Sequence, residues 1–299
     1  MATLREIRRR IVGIKSTQQI TKAMKMVAAA RLRRAQEAIL NFRPYANTIS
    51  NLLDNFVSNI EDYNNPFLQV RDVKRVTLVV VTSDRGLCGS FNSNLIRYAE
   101  DYIKSELKTY LDSKNLDIVC IGKKGNDYFT KRNYPVKKGY VNFFANINYD
   151  KAMEVIHFLA SDYLAGKTDK IIFIYNEFKS VISQVIRTVQ VLPIVVEKKE
   201  EEKKKEKFKP IIEFIYEPSR ENILDTLLPK YLEVQMWRIV LESNASEQGA
   251  RMTAMDNATE NAKELLKILS LSYNRARQAA ITKELLEIVA GADALKEQG

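Results

Sequence analysis

"LREIRRRIVGIKSTQQITKAMKMVAAARLRRAQEAILNF", residues 4–42, decides the fold. Its apolar and small residues recur at alternating steps of three and four. The seam reads Leu4, Ile7, Ile11, Ile14, Gln18, Thr21, Lys25, Ala28, Leu32, Ala35, Ile39, Phe42, and it runs on through Ala46, Ile49, Leu53 and Phe56. A heptad series of that length exceeds what one helix of a globular core needs and reads as a coiled-coil strand. Pro44 is the only proline inside it and should bend the helix without ending it. The same spacing returns at the far end of the chain. It starts at Leu224 and passes Leu227, Tyr231, Val234, Arg238, Leu241, Ala245, Gln248, Met252, Met255, Thr259, Ala262, Leu266, Leu269, Tyr273, Ala276 and Ala280. Between Ser219 and Ala290 the only breakers are Pro229 and Gly249.

Roughly seventy helical residues at 1.5 Å each span about 100 Å, more than the thickness of a single-domain core. Two such helices at opposite ends of a 299-residue chain most simply pair antiparallel, with the intervening residues as a globular head. Two separate homodimeric coiled coils are the alternative. The expected organisation is a coiled-coil helix over 1–60, an α/β domain over 70–217 and a second coiled-coil helix over 218–299. From Tyr273 to Leu295 the second helix extends past the start of the first. An unpaired tip with Ile281, Leu285, Ile288 and Val289 on its surface is therefore expected, seated as a bearing in an apolar sleeve.

The middle alternates strand and helix. Expected are strand Val76–Thr82, helix Asn94–Tyr110, strand Asp117–Ile121, a short helix Asn126–Lys131, strand Val136–Val141, helix Asp150–Leu164 and strand Lys170–Phe178. That order predicts a mostly parallel, Rossmann-like sheet covered by helices. Ile182–Val196 should return antiparallel on one edge, and Ile211–Tyr216 should re-enter the sheet. Between them, the Lys/Glu run at 197–209 has no apolar face and reads as a solvated loop.

No run of apolar residues is long enough for a membrane span. The basic N-terminus lacks an apolar core with a small-residue cleavage site, so it does not read as a secretory signal. Because its seam continues unbroken to residue 56, it reads as mature structure. Cys88 and Cys120 cannot build a disulfide framework and read as small buried side chains. Net charge is +10 and uneven. Residues 1–43 carry eleven Lys or Arg against Glu6 and Glu37, whereas residues 251–299 balance. Such a cationic segment asks for an anionic partner. Nucleic acid is disfavoured, because no aromatic residue lies among the cations before Phe42 to stack on bases.

"SDRGLCGSFN", residues 83–92, follows the first strand as a phosphate loop would. It lacks the Lys of a Walker loop, the third glycine of a dinucleotide fingerprint and the spacing of a nucleophile elbow. Gly86 and Gly89 read instead as a tight turn, with Asn92 or Ser93 capping the next helix. The single histidine, His157, reads as a partly buried helix position without a second ligand. Glu284 and Glu287 read as solvated or paired with Lys. No cofactor, metal site, catalytic group or direct nucleotide binding is expected.

Three successive seam positions, Gln18, Thr21 and Lys25, are polar. Such residues fix register at a cost in stability, or mark where the helix touches another protein. "TKAMKMVAAARLRRAQ" around them, "SDRGLCGSFN" after the first strand, and "ASEQGARMTAMDNATENA" with "YNRARQAAITKELLEIVAGADAL" near the C-terminus resemble the γ-subunit family of F-type ATP synthases along the whole chain. The resemblance implies a central rotor shaft without a catalytic site of its own, coupling proton flow to ATP synthesis and hydrolysis. Its partners would be the α and β subunits around the shaft and tip, with the ε subunit and c-ring at the globular domain. It would lie peripherally on the cytoplasmic face of a bacterial inner membrane. The resemblance places Met24, Lys25 and Arg251 where the shaft meets acidic loops of β. It places Gln278, Thr282 and Glu284 at catch loops of the ring, and Tyr216 and Glu217 at the foot near the c-ring. Lys25 stands where some members carry an acid, and the dithiol insertion of the chloroplast branch is not reproduced by Cys88 and Cys120.

Overall fold

The computed structural model describes residues 3–58, 65–181, 183–195 and 220–297. The Lys/Glu run at 197–209, the expected strand Ile211–Tyr216, and with them Tyr216 and Glu217, lie outside the described residues. The chain divides into two compact units, Met1–Ala29 with Arg251–Gly299, and Ala30–Ala250.

The seam of residues 4–56 forms one helix, α1, Leu4–Ser58, which runs through Pro44. Every one of the sixteen seam positions is buried or half-buried, as a heptad stripe requires. The second seam lies on α6, Arg220–Glu297, which runs through Pro229. There the single exposed seam position is Arg238. Within the first unit, Lys25 on α1 faces Asp256 and Thr21 faces Thr259, so the two helices run antiparallel.

In the second unit a five-stranded sheet has the order β3-β2-β1-β4-β5. Its strands are β1 Val76–Val81, β2 Leu116–Ile121, β3 Val136–Tyr140, β4 Lys170–Phe178 and β5 Gln184–Leu192. The first four are parallel and β5 closes the edge antiparallel to β4, as the alternation of elements predicts. All six residues of β1 are buried, the pattern of a central parallel strand covered on both faces. One face carries α2, Phe91–Ser105, and α4, Lys123–Lys131, around Leu78, Val80, Leu95, Ile103, Ile118 and Phe129. The expected single helix to Tyr110 instead breaks after Ser105 and resumes as the short α3, Lys108–Asp112.

The other face packs α5, Tyr149–Leu164, together with α6 and the end of α1, on Val79, Val81, Val119, Phe173 and Tyr175. From Leu224 to Gly249 α6 therefore buries far more than its seam: Leu228, Leu232, Met236, Ile239 and Val240 are all within 2% of full burial. A helix with a partner helix on one side and a sheet on another needs a wider apolar face than a two-stranded coil.

Candidate functional site

The loop after β1 sits where open α/β sheets bind ligands, at the point where strand order reverses. Thr82, Ser83 and Asp84 line that position with acceptors. The N-terminus of α4 offers the backbone N–H groups of Lys123, Lys124 and Gly125. Asp84 Oδ1 accepts the first (2.9 Å), Ser83 O the second (3.1 Å) and Thr82 Oγ1 the third (2.8 Å). Asp84 also accepts from the N–H of Asn142 (2.8 Å) and of Phe144 (2.7 Å). The donors at the N-terminus of α4 are thus taken by the chain itself, one by the Asp84 carboxylate, one by the Ser83 carbonyl and one by the Thr82 hydroxyl.

Glycine usage follows the same logic. Gly122 has φ of +96° and a Cβ there would stand 2.1 Å from Thr82 O. Gly89 adopts φ of +59°, as the turn reading expects, but the second left-handed position is Leu87. Gly86 needs no special conformation and meets only Lys124 side-chain atoms, at 3.7 Å or more. Asn92 does not cap α2 either. Its Oδ1 accepts from Ser83 N (3.0 Å) and its Nδ2 donates to Ser83 Oγ (2.7 Å), while the N-cap residue Ser90 makes no side-chain cap bond. Ser93 Oγ donates back to Ser90 O (3.1 Å) and so caps nothing. Neither cysteine is in a disulfide and both are buried, and burial pushes the Cys120 thiol up to about 12. His157 corrects the expectation of a half-buried side chain: it is exposed and reaches Glu233 on α6 (3.1 Å).

The candidate partner residues lie along the helices. Met24 and Lys25 are half-buried on α1, and Lys25 Nζ donates to Asp256 Oδ1 at 2.5 Å. One step on, the hydroxyls of Thr21 and Thr259 are 2.8 Å apart. Two of the three polar seam positions therefore have partners across the helix pair, which fixes register. Arg251 lies on the same stretch of α6, five residues from Asp256, about 7.5 Å along the axis. The ten other cations of residues 1–43 are exposed, Arg33 among them in a surface pair with Glu37 (3.1 Å).

Gln278, Thr282 and Glu284 are all exposed. Thr282 Oγ1 donates to Gln278 O (3.0 Å), and the two side chains share a face one turn apart. Two residues beyond Thr282, Glu284 lies about 200° round the helix, on the other side. Glu287 pairs with Lys283 (3.4 Å). With Thr21 opposite Thr259, α1 runs out opposite the stretch near Ala280, and every residue from Ile281 to Ala290 is exposed. A cleft of about 90 Å³ between Phe42 and Ala46 on α1 and Leu241 on α6 is far smaller than a nucleotide site.

A family model described as ATP synthase matches residues 3–295. The chain is 51% identical to the ATP synthase gamma chain of Chloroherpeton thalassium, with 99% of both chains covered. It is also 51% identical to that of Chlorobaculum parvum, covering 99% of this chain and all of the relative. Among solved structures it resembles a chain of the Tetrahymena thermophila mitochondrial ATP synthase central stalk and c-ring, at 27% identity and a TM-score of 0.57, covering 80% of this chain and 99% of that one. A chain of the Euglena gracilis mitochondrial ATP synthase shares the fold with a TM-score of 0.71 at 22% identity, covering 98% and 94%.

Proposed function

Because this chain belongs to the ATP synthase gamma-chain family, we propose that it is the central shaft of an F-type ATP synthase, coupling proton flow through the membrane sector to ATP synthesis and hydrolysis. The observation that carries this reading is the end of α6. Ten consecutive exposed residues, Ile281 to Ala290, follow the point where α1 runs out, and Ile281, Leu285, Leu286, Ile288 and Val289 are each about half exposed or more. A bare helix with apolar residues on more than one side calls for a surrounding apolar surface, which a ring of α and β subunits would supply as a bearing.

The exposed cations of α1 suit acidic loops of β. Lys25 would arrive partly neutralised by Asp256 and would share that contact with Met24 and Arg251. Gln278 and Thr282 on one side and Glu284 on the other would reach different subunits of the ring. Tyr216 and Glu217 would belong to the foot, with ε and the c-ring. The chain would do no chemistry itself. At its best-placed loop Thr82, Ser83 and Asp84 occupy the N–H groups at the start of α4, and no helix among the described residues is long and apolar enough to cross a membrane. A peripheral position on the cytoplasmic face follows from that role.

Complementation tests the reading. Supplied to a bacterium deprived of its own gamma chain, this chain should restore ATP-driven, protonophore-sensitive proton pumping in inverted vesicles, with α, β, ε and c subunits co-purifying. Soluble expression without either result overturns it. In parallel, titration of the isolated chain with MgATP should give no stoichiometric heat; a micromolar site would remove the non-catalytic part of the proposal.

A further inference from the structure

We propose that α6 is keyed to the α/β domain by two buried carboxylates, Glu233 and Glu242, and that Tyr149 and Tyr175 are the positioning residues that stop the helix rolling about its own axis under load. The proposal rests on the shaft reading above. Glu233, with a side chain 9% exposed, accepts from Tyr149 OH (3.2 Å) and His157 Nε2 (3.1 Å) on α5, and from Lys230 Nζ (2.7 Å) on its own helix. Glu242, 11% exposed, accepts from Tyr175 OH (3.1 Å) on β4 and from Arg238 Nε (2.8 Å) on its own helix. In each case a cation on α6 itself compensates the buried charge, which leaves Tyr175, and Tyr149 together with His157, as directional ties to a different element.

Placement makes these ties a key rather than two more contacts. Nine residues separate Glu233 from Glu242, about 13 Å along the axis and half a turn round it. The helix is therefore gripped by α5 from one side and by β4 from the other. The apolar residues between them, such as Met236 and Ile239, are buried but non-directional, and permit small rotations at little cost. Side-chain tips stand about 5 Å from the axis, so a roll of about 30° moves a carboxylate by about 2.5 Å, beyond hydrogen-bond reach. Burial first, and then the neighbouring carboxylate, pushes the Tyr149 hydroxyl up to about 12 and that of Tyr175 higher still, so both remain donors across physiological pH.

The test uses the assembled complex with its catalytic ring fixed to a surface and a bead on the α/β domain of this chain. Tyr149→Phe, Tyr175→Phe and the double variant each remove hydroxyls while keeping the rings. Each is built in a His157→Ala background that serves as the parent and removes the second tie from α5 to Glu233. In the double variant, unloaded MgATP hydrolysis should match the parent, while the angular variance of the bead at each pause rises by about twofold or more, since each lost charge-assisted bond shifts its own closure about tenfold. Glu242→Gln, which keeps an acceptor, should fall between. Equal variance in parent and double variant overturns the key. So does reduced assembly with unchanged variance in the assembled fraction, because the hydroxyls would then only stabilise the fold. If the unaltered chain itself neither assembles nor turns, it is the shaft reading that fails.

Discussion

Two stretches of the same helix are both rich in apolar residues and have opposite surroundings. Between Leu224 and Gly249, α6 is buried nearly all round, charged residues included: Glu233, Glu242 and Glu247 are within 8% of full burial. Between Ile281 and Ala290 nothing is buried, although Ile281, Leu285, Leu286, Ile288 and Val289 stand there. The first stretch has its neighbours inside the chain. The second has them, on the proposed reading, in other subunits. Hydrophobicity alone therefore does not say where a helix is stabilised, and what faces it does.

The sharpest test of that contrast is one truncation in each stretch. Leu228→Ala, at a position with no exposure, should cost about 3 kcal/mol in urea unfolding of the purified chain, through lost burial and the cavity left behind. Leu286→Ala, 64% exposed, should stay within about 0.5 kcal/mol. Equal costs would break the comparison.

Next in size is the corner at the top of the sheet. Asp84→Ala removes the shared acceptor of three backbone N–H groups, on Lys123, Asn142 and Phe144, and should destabilise the chain by about 2 kcal/mol. If this loop were a phosphate site in disguise, the variant would instead gain affinity for inorganic phosphate, which calorimetry would detect.

Smaller, and pH-dependent, is Glu100 on α2. Its carboxylate accepts from Lys104 (2.9 Å), Tyr128 (2.8 Å) and Tyr134 (3.1 Å). The Lys104 bond above all, then Tyr128, holds it below the ordinary carboxylate value of 4.5, against an opposing push from burial. A depressed carboxylate stabilises the fold above its unfolded pKa and loses that contribution as pH falls through the folded value. Glu100→Gln should therefore cost about 1 kcal/mol at pH 7, and the gap to the parent should close progressively below pH 4.5. A gap that widened in acid would reverse the sign.

The smallest effect belongs to Lys25 and Asp256, whose side chains are 40% and 48% exposed. Lys25→Met should cost about 0.5 kcal/mol and less at high salt. A larger, salt-insensitive loss would make this pair a structural anchor rather than a register mark.

The sixteen seam positions of α1, the antiparallel pairing, an exposed tip and a mostly parallel sheet with an antiparallel edge strand were legible in the residues, because they depend on the periodicity and sequence of successive segments. The expected tip starts at Tyr273, but half-burial persists to Ala280, and the order of strands within the sheet came only with the structure. Met24, Lys25, Arg251, Gln278, Thr282 and Glu284 were legible only through likeness to a family, since nothing local distinguishes a partner contact from a solvated helix position. The facing of Gln278 and Thr282 away from Glu284 follows from 100° per residue. Tertiary structure decided the rest. Asp84 finds its acceptor role with residues 39, 58 and 60 positions away, His157 meets Glu233 across 76, and Tyr175 meets Glu242 across 67. A heptad describes a helix with one neighbour, whereas α6 has a helix and a sheet. Its second buried face, with Glu242, Ser243 and Ser246, follows no repeat, because long-range packing sets which polar groups find partners there.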